Sequence, residues 1–329
     1  MGVKAQPVVQ AGRRKSAAPL NFTLGTLQIF GSDFMKYSAF GVLITIWLTG
    51  CVVGKNVRYI DIGDTNQNDA AAQVLKASMI EPTMENGIAA MEKKEYVLAR
   101  LIFEKVAEKG KPEAQMAVGS FYADGMGVKR SSEEALKWFR KAADQGYAPA
   151  QFFVGRMFAM GPSIQPNYIE AMKWLRLAAD QKFGEAEFLI GYLHESGSGV
   201  TKDSSEAARW YEKAAEHGSV NGQLAYGAMY WRGDVVNRDF AKAMTWYRKA
   251  AANGSPDAYY RIGLMYDEAN GIPRDPTEAY VWYSLAAEKN WRGAKPNKER
   301  VAKELSPAQL TDAESKVAAR RKDPSTTKR

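Results

Sequence analysis

Cysteine and histidine are almost absent from this chain of 329 residues, which has one of the first and two of the second. One cysteine makes no internal disulfide. The histidines, His194 and His217, lie 23 positions apart and suggest no metal cluster. No HExxH pair, nucleophile elbow or phosphate loop occurs either. The glycine pairs Gly125-Met126-Gly127 and Gly197-Ser198-Gly199 lack the strand that a dinucleotide site needs, so they read as turns. These absences imply no catalytic residue, no metal and no cofactor. Also missing is an apolar run of the about 20 residues that a membrane-spanning helix requires.

What the chain does have is a repeat. Trp138, Trp174, Trp210, Trp246 and Trp282 stand 36 residues apart, as do Gly119, Gly155, Gly191, Gly227 and Gly263. A fixed period of this size marks a solenoid, in which each unit buries its apolar face against its neighbours. Ala135, Ala171, Ala207, Ala243 and Ala279 share one position, and the pairs Ala142-Ala143 to Ala286-Ala287 another. Small residues at such positions let two helices approach closely, while Phe139, Leu175, Tyr211, Tyr247 and Tyr283 fill the adjoining space. In the first unit the spacing predicts helices over Pro112 to Tyr122 and Ser132 to Asp144. The expected fold is all-α, an α/α solenoid of helix-turn-helix units.

Punctuation marks the ends of the helices. Ser131, Asn167, Asp203, Asp239 and Asp275 precede the second helix of each unit, where a short polar side chain caps free N–H groups. Gly110, Gly146, Gly218 and Gly254, with Asn290 in register, suit a left-handed C-terminal turn. Lys182 is the exception, which implies a different turn or some strain.

The run AEFLIGYLHESGSG from Ala186 to Gly199, followed by Val200, Asp203, Ala207 and WYEKAAEHG ending at Gly218, resembles a Sel1-like repeat, a relative of the tetratricopeptide repeat. The resemblance covers five units at 111–290, after a partial unit in 71–110 and before closing helices in 291–322. Some members carry a disulfide in every repeat; the repeats here contain no cysteine. The loop glycine pattern breaks at Gly161-Pro162-Ser163 and at Ala269, so the second and fifth loops are expected to differ. His194 holds a position occupied elsewhere by Tyr122, Tyr230 and Tyr266, as a packed ring with one hydrogen bond. His217 is expected to interact with a helix C-terminus.

The stretch MKYSAFGVLITIWLTGC at 35–51 resembles a bacterial lipoprotein signal. Its apolar core of about eleven residues suits a signal peptide better than a spanning helix. The resemblance implies cleavage after Gly50 and lipid on Cys51; a buried thiol and an uncleaved anchor are the alternatives. Residues 1–34 then read as a disordered or mis-assigned extension with Met35 as the start, and 51–70 as a tether. Val52 after Cys51 favours the outer membrane, facing the periplasm.

The net charge is +8. Much of it is terminal: Lys316, Arg320, Arg321, Lys322, Lys328 and Arg329 face Asp323 alone in the last 15 residues. These read as a solvated tail, or as a weak contact with anionic polymer or membrane. The repeats are near neutral and carry no nucleic-acid reader motif, so no nucleic-acid partner is implied.

Function is expected where the repeats vary. By resemblance to tetratricopeptide arrays, the first helix of each unit faces the concave side. One position there reads Ser120, Arg156, Tyr192, Ala228, Leu264, and another Ala123, Ala159, Glu195, Trp231, Asp267. A third, Met116, Phe152, Phe188, Leu224, Tyr260, is uniformly apolar and reads as core. The partner-binding candidates are Arg156, Tyr192, Glu195, Trp231 and Arg232, because Arg, Tyr and Trp dominate interface hot spots. The expected activity is that of a non-enzymatic envelope scaffold binding a protein or peptide partner; the alternative is an envelope hydrolase or accessory factor acting on peptidoglycan.

Overall fold

The computed structural model of the protein describes residues 73–74, 76–161 and 164–322. The 1–34 extension, the signal-like stretch, Cys51, the whole 51–70 tether and the final seven residues lie outside the described residues. All regular structure within them is helical: α1 (Met84–Glu92), α2 (Tyr96–Glu108), α3 (Pro112–Asp124), α4 (Ser132–Ala143), α5 (Ala148–Met160), α6 (Tyr168–Ala179), α7 (Gly184–Ser196), α8 (Ser204–Glu216), α9 (Val220–Arg232), α10 (Phe240–Ala252), α11 (Pro256–Asp267), α12 (Pro276–Glu288), α13 (Ala294–Ala302) and α14 (Pro307–Lys322). Helices α3 to α12 form five hairpins, each packed on the next.

Close approach explains the repeated small residues. A Cβ placed on Gly119, Gly155, Gly191, Gly227 or Gly263 would lie 2.6, 2.7, 2.7, 2.8 or 2.7 Å from the side chain of Phe139, Leu175, Tyr211, Tyr247 or Tyr283. Ala135 and its four equivalents are fully buried. Each unit therefore locks its two helices with a ring, or in the second unit a leucine, against backbone, and any larger residue separates them.

The expected caps are all made. Ser131 Oγ accepts from Glu134 N at 3.2 Å, Asn167 Oδ1 from Glu170 N at 3.1 Å, Asp203 from Ser205 N and Glu206 N at 2.9 Å, Asp239 from Lys242 N at 2.9 Å and Asp275 from Glu278 N at 3.0 Å. At the other helix end Gly110, Gly146, Gly218 and Gly254 have φ between 77° and 89°, and Asn290 has φ 55°. Lys182 takes the same left-handed conformation, φ 61°. The turn is thus unchanged and the cost is backbone strain of about 1–2 kcal/mol. Solvent surrounds this position in the other units, where a Cβ on the glycine meets nothing within 4 Å.

Two loop expectations separate. Gly161 is extended at φ −64°, ψ 129°, unlike the left-handed Gly125, Gly197 and Gly233, so the second loop differs. The fifth does not: Ala269 keeps the left-handed turn with φ 56°. A second loop glycine packs on the preceding unit. A Cβ on Gly199 would sit 2.0 Å from Tyr168 Cβ, and one on Gly271 2.2 Å from Phe240 Cβ. In the unit between them the same two positions hold Val235 and Ser204. Large and small residues have changed places across the junction.

A polar ladder ties the first helices of the first four units to their neighbours, while the fifth carries Tyr259 at this position. Gln115, Gln151 and Gln223 donate to Ala107 O, Ala143 O and Ala215 O at 3.2, 3.2 and 3.4 Å. Gln145 and Gln181 donate to the side-chain Oε1 atoms of Gln115 and Gln151 at 2.7 and 2.8 Å. In the third unit the pair becomes Glu187 and His217, 2.7 Å apart, with Glu187 buried. His217 caps α8 as expected, but its ring is committed to this carboxylate.

The C-terminal end is closed by two helices. Pro296 sits inside the first turn of α13, where its missing N–H costs nothing. Helix α14 lies on α12 and buries Ala313 and Val317. Lys316 and Arg320 pair with Glu278 at 3.5 and 2.9 Å, and Arg321 pairs with Glu288. These three cations belong to a docked helix rather than to a solvated tail.

Candidate binding surface

The two walls of the array differ because its helices are layered. Successive first helices, α5 with α7 and α7 with α9, touch one another, while successive second helices stay further apart. The first helices therefore form the inner, concave wall, as the resemblance implied.

On the outer wall Trp174 and Trp282 are buried, whereas the other three repeated tryptophans are only partly used for packing. Trp138, Trp210 and Trp246 are half-buried, with Lys141, Lys213 and Lys249 at 3.8, 4.4 and 3.8 Å from their ring centroids. The lysine three residues on closes each ring by a cation–π contact.

On the inner wall the apolar position is mixed. Met116, Phe152 and Leu224 are buried, whereas Phe188 and Tyr260 are half-buried and contribute surface. Of the variable positions, Ser120, Ala159, Ala228 and Asp267 are buried, leaving Ala123, Arg156, Tyr192, Leu264, Glu195 and Trp231 half-exposed.

The candidate residues fall into three places. Arg156 lies on α5 with its guanidinium 4.4 Å from the Phe153 ring centroid and 5.4 Å from that of Phe152. Beside it stands Asp124 at the C-terminus of α3, whose carboxyl is pushed up to about 7 by burial against the pull of Arg156 and Arg130. Tyr192, on the first helix of the third unit, packs against both the core cluster of the first three units and that of the third and fourth. Glu195 and Arg232 come together: Arg232 Nη2 lies 3.5 Å from Glu195, and its Nε lies 3.1 Å from Asp234. Glu195 also accepts from Tyr211 Oη at 2.7 Å. Burial and Glu195 raise the Tyr211 phenol well above its ordinary value, which keeps it a donor. Trp231 packs one side on the C-terminal core cluster and exposes the other.

A charged end to this wall escaped the sequence reading. Buried Asp267 accepts from Tyr283 Oη at 3.1 Å and from Arg300, while Arg274 and Arg300 reach Glu304 at 2.6 and 3.1 Å. The signal was present, since Asp267 stands 16 residues before Tyr283 as Glu195 stands 16 before Tyr211. His194 departs from expectation, because its buried Nδ1 finds no hydrogen-bond partner among the described residues.

Among the described residues no group of three His, Cys, Asp or Glu could hold a metal ion, and no helix is long and apolar enough to cross a membrane. The inner wall offers aromatic surface, fixed cations and pre-paired carboxylates. Such a surface recognises by shape and charge.

Among solved structures, a Sel1 repeat protein from Oxalobacter formigenes is 34% identical with a TM-score of 0.55, covering 70% of this chain and 86% of that one. A protective antigen present in uropathogenic Escherichia coli strains, displaying an SLR fold, is 23% identical with a TM-score of 0.44, over 70% of this chain and 58% of that one. An immunity protein from Pseudomonas aeruginosa is 18% identical with a TM-score of 0.44, over 68% and 83%. No curated protein matches the chain. The Sel1 repeat matches five times in succession, at residues 112–147, 148–183, 184–219, 220–255 and 256–291. With more than half of its length in these units, the chain belongs to the Sel1 repeat family.

Proposed function

We propose that the protein is a non-enzymatic scaffold of the bacterial cell envelope, held by lipid on Cys51, whose inner wall takes a protein or peptide partner. Sel1 repeat proteins are generally protein-interaction scaffolds, and their fold is typically non-catalytic. The observation that carries the reading is the division of the first helices. Their repeated residues are consumed by packing, while Trp231, Tyr192 and Arg156 interrupt the pattern on a half-exposed wall. Trp231 is the anchor in this reading, with the Glu195–Arg232 pair fixing charge beside it. The location rests on the lipoprotein-like sequence at 35–51 and its facing toward the periplasm on the same resemblance.

The test has two arms. Trp231→Ala in the mature chain should leave helical content unchanged and abolish capture of the envelope partner recovered by the unaltered protein. A large drop in melting temperature would instead make Trp231 a core residue. Intact-mass measurement of membrane-extracted protein should show acyl chains on an N-terminal Cys51, and an unmodified chain starting at Met1 would sink the anchor. Cleavage of muropeptides by the purified chain would overturn the non-enzymatic reading.

A further inference from the structure

The two ends of the array are capped by segments of different charge. At the N-terminal end, residues 76–95 carry Lys76, Lys93 and Lys94 against Glu81, Glu85, Glu92 and Glu95. At the other end, Lys289 to Lys303 holds Lys289, Arg292, Lys295, Lys298, Arg300 and Lys303 against Glu299 alone. A cap needs a polar outer face to stay in solution, and mixed charge serves that need. One sign does not follow from capping.

The register explains why these cations are exposed. A sixth unit would start at 292, 36 residues after Pro256, and α13 takes the place of its first helix by packing on α12. Ala294 and Val301 are buried. Lys289, Arg292, Lys295 and Lys303 are exposed, with no further unit among the described residues to cover them.

Neighbouring groups do not neutralise this end. Arg300 is spent on Asp267 and Glu304, which also hold Arg274. Glu278 is held by Lys316 and Arg320, and Glu288 by Arg321. Lys298 lies 5.2 Å from the Tyr280 ring centroid. Lys289, Arg292, Lys295, Lys298 and Lys303 make no ion pair among the described residues. The carboxylates beside them that also make none are Glu299 on α13 and Glu268, which acts on Tyr260 where Asn297 of α13 donates to that phenol. On α14, Glu314 and Lys322 cancel. Five cations thus stand against two carboxylates.

We propose that this end of the array is a contact site for an anionic phospholipid surface. Clusters of about four to eight Lys or Arg bind acidic headgroups through summed charge, each cation near the surface strengthening binding roughly fivefold. A bilayer suits the face better than an acidic protein does, because Lys289 to Lys303 exposes no large apolar side chain to anchor a protein interface, and Trp291 packs on the C-terminal core cluster. The face is separate from the inner wall and from Cys51. With lipid on Cys51, the array would be held to the membrane at both ends.

The probe is a phosphatidylcholine vesicle with about one third phosphatidylglycerol, set against phosphatidylcholine alone. The chain used starts at residue 51 and carries Cys51→Ser, so no acyl group contributes and failure of the anchor reading leaves this test intact. Co-sedimentation is expected to favour the anionic vesicles by at least about tenfold and to weaken with added salt. Arg292→Gln, Lys295→Gln and Lys303→Gln together change exposed positions, keep the fold as circular dichroism would check, and are expected to abolish that preference. Lys111→Gln, Lys129→Gln and Lys202→Gln, also exposed, lower the net charge equally and are expected to retain it. Equal sedimentation with both vesicles, or equal loss in the two triple variants, overturns the site, since net charge alone would then suffice. Binding to poly-glutamate without binding to vesicles overturns it in favour of an acidic protein partner.

Discussion

The interior of the array and its inner wall are built from the same helices and obey different rules. Inside, Ala135 and its equivalents are all fully buried, and every glycine of the Gly119 series sits against a ring or a leucine. On the wall the residue changes from unit to unit, as where half-exposed Arg156, Tyr192 and Leu264 share one position. Packing tolerates one answer where two helices touch, and solvent tolerates many. Variation on the wall is thus cheap in stability and available for recognition.

The contrast breaks most completely at the junctions between units. Deleting 184–219 would set Val235 where Gly199 now meets Tyr168, while deleting 184–255 would set Gly271 there. The longer deletion is expected to unfold in one cooperative transition and the shorter to lose cooperativity, as read by thermal melts. Within a unit, Gly191→Ala forces a Cβ to within 2.7 Å of the Tyr211 ring and 3.2 Å of Ala207 O. It should cost about 2–3 kcal/mol in urea unfolding, against a few tenths for a substitution at exposed Ser196.

The polar ladder gives a finer test. Glu187→Ala removes a buried acceptor from His217 and should cost about 2 kcal/mol. The double change Glu187→Gln with His217→Gln restores the pair seen at Gln115 and Gln145 and should recover most of that loss. Failure to recover would show that the third unit depends on its charges.

The smallest effect concerns Asp124 on the wall. Its carboxyl is pushed up to about 7 from 3.8, chiefly by burial. The folded chain then binds this proton more tightly than the unfolded chain, so the contribution to stability is full below about pH 4 and is lost as pH rises to about 7. Asp124→Asn should flatten that slope and gain about 1 kcal/mol at pH 8, after discounting for solvent screening, as measured by urea titration at several pH values.

Much of the fold was legible because periodicity reports packing. The five caps from Ser131 to Asp275 and the left-handed turns at Gly110 and its equivalents appear where spacing placed them. Conformation was harder to read where residue type and backbone part company. Ala269 keeps a glycine's turn because the surrounding hairpin imposes it. The site was legible as a set of positions but not as contacts. Glu195 and Arg232 are 37 residues apart and meet only because successive first helices stack. Likewise the basic C-terminus looked like a tail until α14 brought Lys316, Arg320 and Arg321 onto acids two helices away. Pairings across units depend on the superhelix, which no single unit encodes.

The exchange of bulk between Gly199 with Tyr168, Val235 with Ser204, and Gly271 with Phe240 gives the array a parity. Neighbouring units are complementary rather than alike, as with plug and socket. A lineage of such chains would lengthen or shorten by even numbers of units more readily than by one, and its hereditary building block would be the pair.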